Sequence, residues 1–207
     1  HDGRRMVLVD GQLMFTRAIY SVPLRRVFFV KVGAVSGADE IFTHVELGNA
    51  DFICSKTAQT GETRRMIYLD DEVSADRNRV LMDYLASFKP RLLQRRVTKF
   101  TEANWLQWGR RHYVSAAPRI YVNGRTRNAQ PFFLHPCTNY DGAVLALFPH
   151  RADLTAQQCQ QLADWLNAVD WHELGFVCDG RFIFSQRSLE HALLPEDFAE
   201  FACQVRL

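Results

Sequence analysis

No apolar run in this 207-residue sequence approaches the roughly 20 residues that span a bilayer, and the N-terminus lacks the basic and apolar regions of a signal peptide. A soluble, cytoplasmic protein with no membrane partner is expected. Its five cysteines (Cys54, Cys137, Cys159, Cys178, Cys203) form no Cys-x-x-Cys pair, which argues against a disulfide framework and fits reduced, partly buried thiols. There is no Gly-x-Gly-x-x-Gly and no Gly-x-x-x-x-Gly-Lys, so nothing signals a nucleotide phosphate loop. The seven histidines never stand at His-x-x-x-His spacing, and His135-Pro-Cys137 supplies two ligands where a metal needs three or four. Ser36 sits between Val35 and Gly37 without the Gly-x-Ser-x-Gly elbow and reads as a turn residue. No metal site and no catalytic residue are expected.

Lysine is scarce as well: 4 of the 25 basic side chains are Lys and 21 are Arg. Guanidinium presents a planar fork suited to phosphate and to guanine edges, whereas ammonium is a point charge; a genome favouring Arg codons gives the same ratio. Net charge is only +2, but its distribution is uneven. Residues 91–127 hold nine basic side chains and one acid, Glu102, while residues 152–207 hold three basic and nine acidic ones. Positive charge gathered in one segment of a near-neutral chain prepares it to meet an anion at a definite place.

With 47% hydrophobic residues the chain can bury an ordinary core, and its pattern predicts an α+β fold, mostly antiparallel sheets with packed helices, as a single domain over 1–207. Strands are predicted at Met6–Asp10, Val27–Val32, Ile41–Val45, Met66–Leu69, Arg119–Val122, Pro131–His135, Ala143–Phe148 and Phe182–Phe184. Val80, Leu81, Tyr84, Leu85 and Phe88 follow helical spacing after a candidate cap at Ser74, and Pro90 ends or kinks that helix. Arg91–Lys99 is consistent with a basic helical face, with Trp105 and Trp108 after a candidate cap at Thr101. Thr155-x-x-Gln158 resembles a capping box ahead of the stripe Leu154, Cys159, Leu162, Leu166 and Val169. A short helix is expected near Ser188–Leu194. All four tryptophans are assigned to packing.

Two segments carry properties that DNA recognition needs. In Lys31-Val-Gly-Ala-Val-Ser-Gly-Ala-Asp-Glu-Ile-Phe42 a strand runs into a Gly-flanked loop of small residues, where backbone amides, Ser36 and Gly37 have room beside a phosphate; a tight turn joining two strands has the same look. In Arg119-Ile-Tyr-Val-Asn-Gly-Arg-Thr-Arg-Asn-Ala-Gln130 a strand and an Asn-Gly turn precede alternating Arg and amide side chains. Asn123, Asn128 and Gln130 suit adenine edges, Arg125 and Arg127 suit guanine or phosphate, and a merely solvated hairpin tip collects the same residues.

At these residues the sequence resembles a known family. Gly33-Ala-Val-Ser-Gly-Ala-Asp-Glu-Ile-Phe42 is similar to the Gly-Ile-x-Thr-Gly-x-Asn-x-x-Phe signature that opens the target recognition domain of N6-adenine DNA methyltransferases from restriction-modification systems. Pro118-Arg-Ile-Tyr121 resembles the Pro-Lys/Arg-Ile strand of that domain, and Gly180–Leu189 with Leu193-Leu-Pro195 its closing segment. Ser36 stands for the usual Thr and Asp39 for the usual Asn. The resemblance implies a C-terminal recognition half whose N-terminal catalytic methyltransferase domain carries S-adenosylmethionine and an Asn-Pro-Pro-Tyr type motif; this sequence has no Pro-Pro pair, and no cofactor is expected within it. The parent enzyme would methylate N6 of a flipped adenine while this half grips double-stranded DNA. Lys31, Arg91, Arg95, Arg96 and Lys99 would neutralise phosphates, Arg119 would join them as a contact of its strand, and Ser36, Asn123, Arg125, Arg127, Asn128 and Gln130 would read bases.

Two other readings compete. One is a non-enzymatic DNA- or RNA-binding specificity subunit or adaptor. The other is a metal-dependent nuclease built on Asp70, Asp71 and Glu72, against which three consecutive carboxylates before a helix are ordinarily a solvated face favoured by the helix dipole.

Overall fold

The computed structural model describes residues 5–9, 12–16, 20–69 and 79–203. Its elements in chain order begin with β1 (Arg5–Val9), β2 (Gln12–Thr16), β3 (Tyr20–Pro23), α1 (Leu24–Val27), β4 (Phe28–Val32), α2 (Asp39–Phe42), β5 (Ala50–Phe52), α3 (Thr57–Thr60), β6 (Arg64–Met66), α4 (Arg79–Ser87) and α5 (Lys89–Leu93). They continue with β7 (Ile120–Asn123), β8 (Arg125–Thr126), β9 (Phe132–Phe133), β10 (Val144–Pro149), α6 (Ala156–Ala168), β11 (Val177–Cys178), β12 (Arg181–Ile183), α7 (Gln186–Glu190) and β13 (Leu193–Pro195). The ladders β1–β2, β3–β13, β5–β6, β7–β9, β8–β12 and β11–β12 are antiparallel, and the class is α+β.

The chain gathers into two compact units, the first from His1–Lys31, Ala116–His135 and Leu145–Leu207 and the second from Val32–Ser115 and Pro136–Val144. Because the chain passes between them repeatedly, no linker marks the division in the sequence. Among the described residues no helix is long and apolar enough to cross a membrane.

In the first unit the main sheet has strand order β4-β10-β7-β9, and β10 is buried from Val144 to Phe148, as its unbroken apolar run requires of an inner strand. Helix α6 begins with the expected capping box: Thr155 Oγ1 accepts from the Gln158 N–H at 3.2 Å while Gln158 Oε1 accepts from the Thr155 N–H at 2.9 Å. Its stripe Leu154, Cys159, Leu162, Leu166 and Val169 is buried. Asn167 on α6 holds the outer strand β9 by accepting from the Phe132 N–H and donating to the Phe132 carbonyl, both at 2.9 Å, so this backbone is satisfied without another strand. The second sheet, β11-β12-β8, is closed at one end by Asp179–Gly180, whose φ values of 50° and 68° give a two-residue hairpin turn. Phe132, Trp171, Phe176 and Phe184 pack together beside it with ring centroids 5.0–5.5 Å apart.

In the second unit the β5–β6 hairpin and helices α2, α4 and α5 enclose Phe42, Phe52, Met66, Leu85, Leu92 and Trp108. Trp108 Nε1 donates to the Ile67 carbonyl at 3.0 Å, and Tyr84 Oη to the Ile41 carbonyl at 2.8 Å, so the polar tips of both aromatics are satisfied.

Several elements depart from the sequence pattern for visible reasons. The strand expected at Ile41–Val45 is the helical turn α2, which places the consecutive residues Ile41 and Phe42 both in the core; a strand sends neighbours to opposite faces. The β6 ladder stops at Met66 because the Ile67 N–H turns to the Phe42 carbonyl and the Tyr68 N–H to Asn49 Oδ1. No helix runs over Arg91–Lys99: α5 ends at Leu93, and Thr101 caps only a turn with Asn104. Trp105, Trp108 and Trp171 are buried and Trp165 packs on Phe198 and Phe201, as a packing role requires. The expected helix near Ser188–Leu194 is split into α7 and the strand β13. Ser74 and the acidic triplet Asp70, Asp71 and Glu72 lie outside the described residues.

Candidate nucleic-acid interface

In the second unit, the Gly-flanked loop is held from three sides. The Ala34 N–H donates to the Tyr140 carbonyl at 2.8 Å, and Val35 exchanges both backbone hydrogen bonds with Arg110. A Cβ at Gly33 would stand 1.9 Å from the Asp141 carbonyl oxygen, so the close approach this glycine permits is to the protein's own backbone. Gly37 adopts φ +79°, and a Cβ there would meet Val97 Cγ2 at 2.7 Å. Ser36 is fully buried: its hydroxyl donates to the Asp39 carboxylate and accepts from the Ala38 N–H at 3.0 Å. The loop that resembles a DNA contact therefore presents Gly37, Asp39 and Glu40 outward, with the serine turned in.

The basic stretch folds against this loop through Arg95. Its guanidinium donates to four carbonyls, those of Leu92 (2.8 Å), Ser36 (2.7 Å), Gln107 (3.0 Å) and Trp105 (2.5 Å), and lies 3.7 Å from the Phe100 ring centroid. Burial pushes its pKa down to about 10, which still leaves it charged at neutral pH. With its donors engaged internally, Arg95 is a structural tie. Arg91, Arg96 and Lys99 are exposed; Arg91 forms an ion pair with Glu40 of α2, and Arg96 and Lys99 have no charge partner among the described residues. Gly37, Ala38, Glu40, Arg91, Arg95 and Arg96 line an open cavity of about 580 Å³. The structure thus brings together the loop and the basic stretch, 59 residues apart at the Ser36–Arg95 hydrogen bond.

In the first unit the second predicted segment is arranged differently from a hairpin. Asn123–Gly124 does not join paired strands: β7 pairs with β9 and β8 with β12, so the chain leaves one sheet and joins another there. Asn123 is buried at the end of β7, and the Gly124 carbonyl accepts from the Phe184 N–H at 2.8 Å. Arg119 is buried too, its guanidinium 4.8 Å from the Phe148 ring centroid. Arg125, Arg127 and Gln130 are exposed, while Asn128 is half-buried and braces its own turn by accepting from the Gln130 N–H at 3.0 Å. Lys31 is exposed on β4.

Two residues that charge counting passes over matter here. Glu40 masks Arg91, and Arg181, on β12, stands beside the Arg125–Gln130 segment. The first signal was available as an acid just after the loop; the second needed the strand register. No protein-family model matches this chain, and no curated protein matches it.

Proposed function

We propose that this chain is the sequence-specific recognition part of an S-adenosylmethionine-dependent adenine-N6 DNA methyltransferase. The observation that carries the reading is the packing of the Gly33–Phe42 segment, whose sequence resembles the signature of such domains, against the Arg91–Lys99 stretch, with Arg96 and Lys99 unpaired and exposed beside it. These two cations, with Lys31, supply charge for phosphates. Arg125, Arg127 and Gln130 are the exposed side chains suited to base edges or phosphate. Ser36, Arg95 and Arg119 bond to backbone, and with the buried Asn123 they are not assigned to DNA. Methyl transfer belongs, in this reading, to a separate catalytic domain. Guanidinium-lined cavities suit oxyanions and repel a sulfonium cation, so no residue here is assigned to the cofactor.

The test is retention of a randomised duplex pool by this chain, followed by sequencing of what is retained and anisotropy titrations across a salt series. Enrichment of a short adenine-containing motif, above a salt-dependent background, is expected. Salt-dependent binding with no enriched motif would favour the generic adaptor, and no binding at low salt would overturn the reading.

A further inference from the structure

The first unit holds a second cavity, of about 350 Å³, whose walls include Arg127, Arg181, Asp170, Trp171, His172 and Phe182. The β8–β12 ladder runs through Ile183↔Arg125 and Phe182↔Thr126, and Arg127 and Arg181, the next residue on each side, both line this cavity. Like charges gathered on one cavity wall repel, and neither guanidinium has an ion-pair partner among the described residues. Asp170, the carboxylate on the cavity wall, accepts at Oδ1 from the Glu173 N–H at 3.0 Å and forms an ion pair with neither arginine. Arg181 Nε is buried without a hydrogen-bond partner, a donor whose desolvation is uncompensated within the protein. Two guanidinium groups on the wall of one cavity of molecular size form a receptor for an oxyanion.

We propose that this cavity binds one nucleotide phosphate between Arg127 and Arg181. A phosphate monoester or diester offers enough acceptor oxygens for two forks and neutralises the repulsion that the free protein carries. The rest of the wall fits the remainder of a nucleotide: Phe182 and His172 offer ring surface, and Asp170 an acceptor for an exocyclic amine or a sugar hydroxyl. The volume lies at the small end of ligand pockets, suitable for a single nucleotide unit. The phosphate can come from a DNA strand or from a free nucleotide. The first source rests on the recognition reading above and makes Arg127 a backbone-positioning residue, with Arg181 added as its partner. The second does not depend on that reading.

The test compares wild type with Arg181→Gln and, because Arg181 is partly buried, with the exposed Arg127→Gln as well. Thermal unfolding is followed with inorganic phosphate and with deoxyadenosine monophosphate, at concentrations several times the dissociation constant. Wild type is expected to gain about 2–4 °C, and both variants to lose that gain. In duplex titrations each variant is expected to bind about ten-fold more weakly with a salt slope shallower by about 1, and the double variant to lose less than the product of the two single losses, because both arms hold one anion. A phosphate-dependent gain in a protein that binds no duplex assigns the site to a free nucleotide and leaves only the DNA reading overturned. Duplex binding that neither variant alters, together with no phosphate-dependent gain in wild type or an equal gain in the variants, overturns the proposal and leaves the DNA reading standing.

Discussion

Asp141 shows what a single residue type conceals in a sequence. It appears there as an ordinary turn acid ahead of Gly142, yet it is buried, accepts from the Ala143 N–H at 3.0 Å and lies 3.6 Å from the Arg64 guanidinium, which stands at the same distance from Asp39. Burial raises its pKa; the Ala143 N–H and Arg64 oppose that rise and Asp39 adds to it. A carboxyl that takes up its proton more readily folded than unfolded favours the folded state at low pH, and this contribution is lost as pH rises from the ordinary carboxylate value, about 4, through the raised one. Asp141→Asn keeps the acceptor for Ala143 and removes the ionisation. The variant is therefore expected to be at least as stable as wild type at pH 7, with the difference closing toward pH 4; urea midpoints across that range measure it. A variant that loses more stability at pH 7 than at pH 4 would show that the Arg64 attraction outweighs the desolvation. Ser36 and Asn123 make the related point for the candidate site: their side chains suit DNA by type, and burial, which no residue type declares, removes both from solvent.

At the level of elements, legibility followed local chemistry. Helix α6 was readable because its start signal and its stripe are both short-range, and both appear in place. Strand β10 was readable because an unbroken apolar run has few other homes. The misread elements are those fixed by distant partners: α2 is helical because two consecutive apolar side chains share one core, and Asn123–Gly124 passes between sheets because β8 finds its partner in β12, more than 50 residues later. The basic stretch follows the same logic. Counting charge placed Arg95 with Arg96 on a solvated face, whereas the loop carbonyls of Ser36, Trp105 and Gln107 need a buried donor that only a long, multiply donating side chain supplies. Arg95→Ala would leave those acceptors buried and unpaired, so a loss of more than about 3 kcal/mol is expected, with a matching drop in the urea midpoint. Arg96→Ala, which touches no partner among the described residues, is expected to change stability by less than about 0.5 kcal/mol. Equal effects from the two would contradict the assignment of Arg95 as a tie.

For the molecule as a whole, the sequence revealed where the excess charge lies but not which cations are free to use it. Of the nine basic residues in 91–127, burial withdraws Arg95 and Arg119, and Glu40 partly neutralises Arg91. Six remain, Arg96, Lys99, Arg110 and Arg111 in the second unit and Arg125 and Arg127 in the first. Arg110 Nε donates to the Gly33 carbonyl at 3.2 Å, and the pairs Arg96 with Lys99 and Arg125 with Arg127, from the two segments proposed to meet DNA, have different signatures. Compact point charges or forks beside a backbone read only phosphate, so Arg96→Ala with Lys99→Ala is expected to weaken binding to every duplex by a similar factor and to make the slope of log affinity against log salt shallower by about 2. Arg125→Ala is expected to spare most of that slope and to lower discrimination between the enriched motif and its single-base variants by about 1–3 kcal/mol at one position, because a bidentate fork on a guanine edge is lost. Arg127, which shares a cavity wall with Arg181, belongs with the phosphate contacts in this partition, so its removal should resemble that of Lys99 more than that of Arg125. The same salt series on the motif and its variants checks all three, and identical slopes and identical discrimination across them would mean that neither group touches DNA.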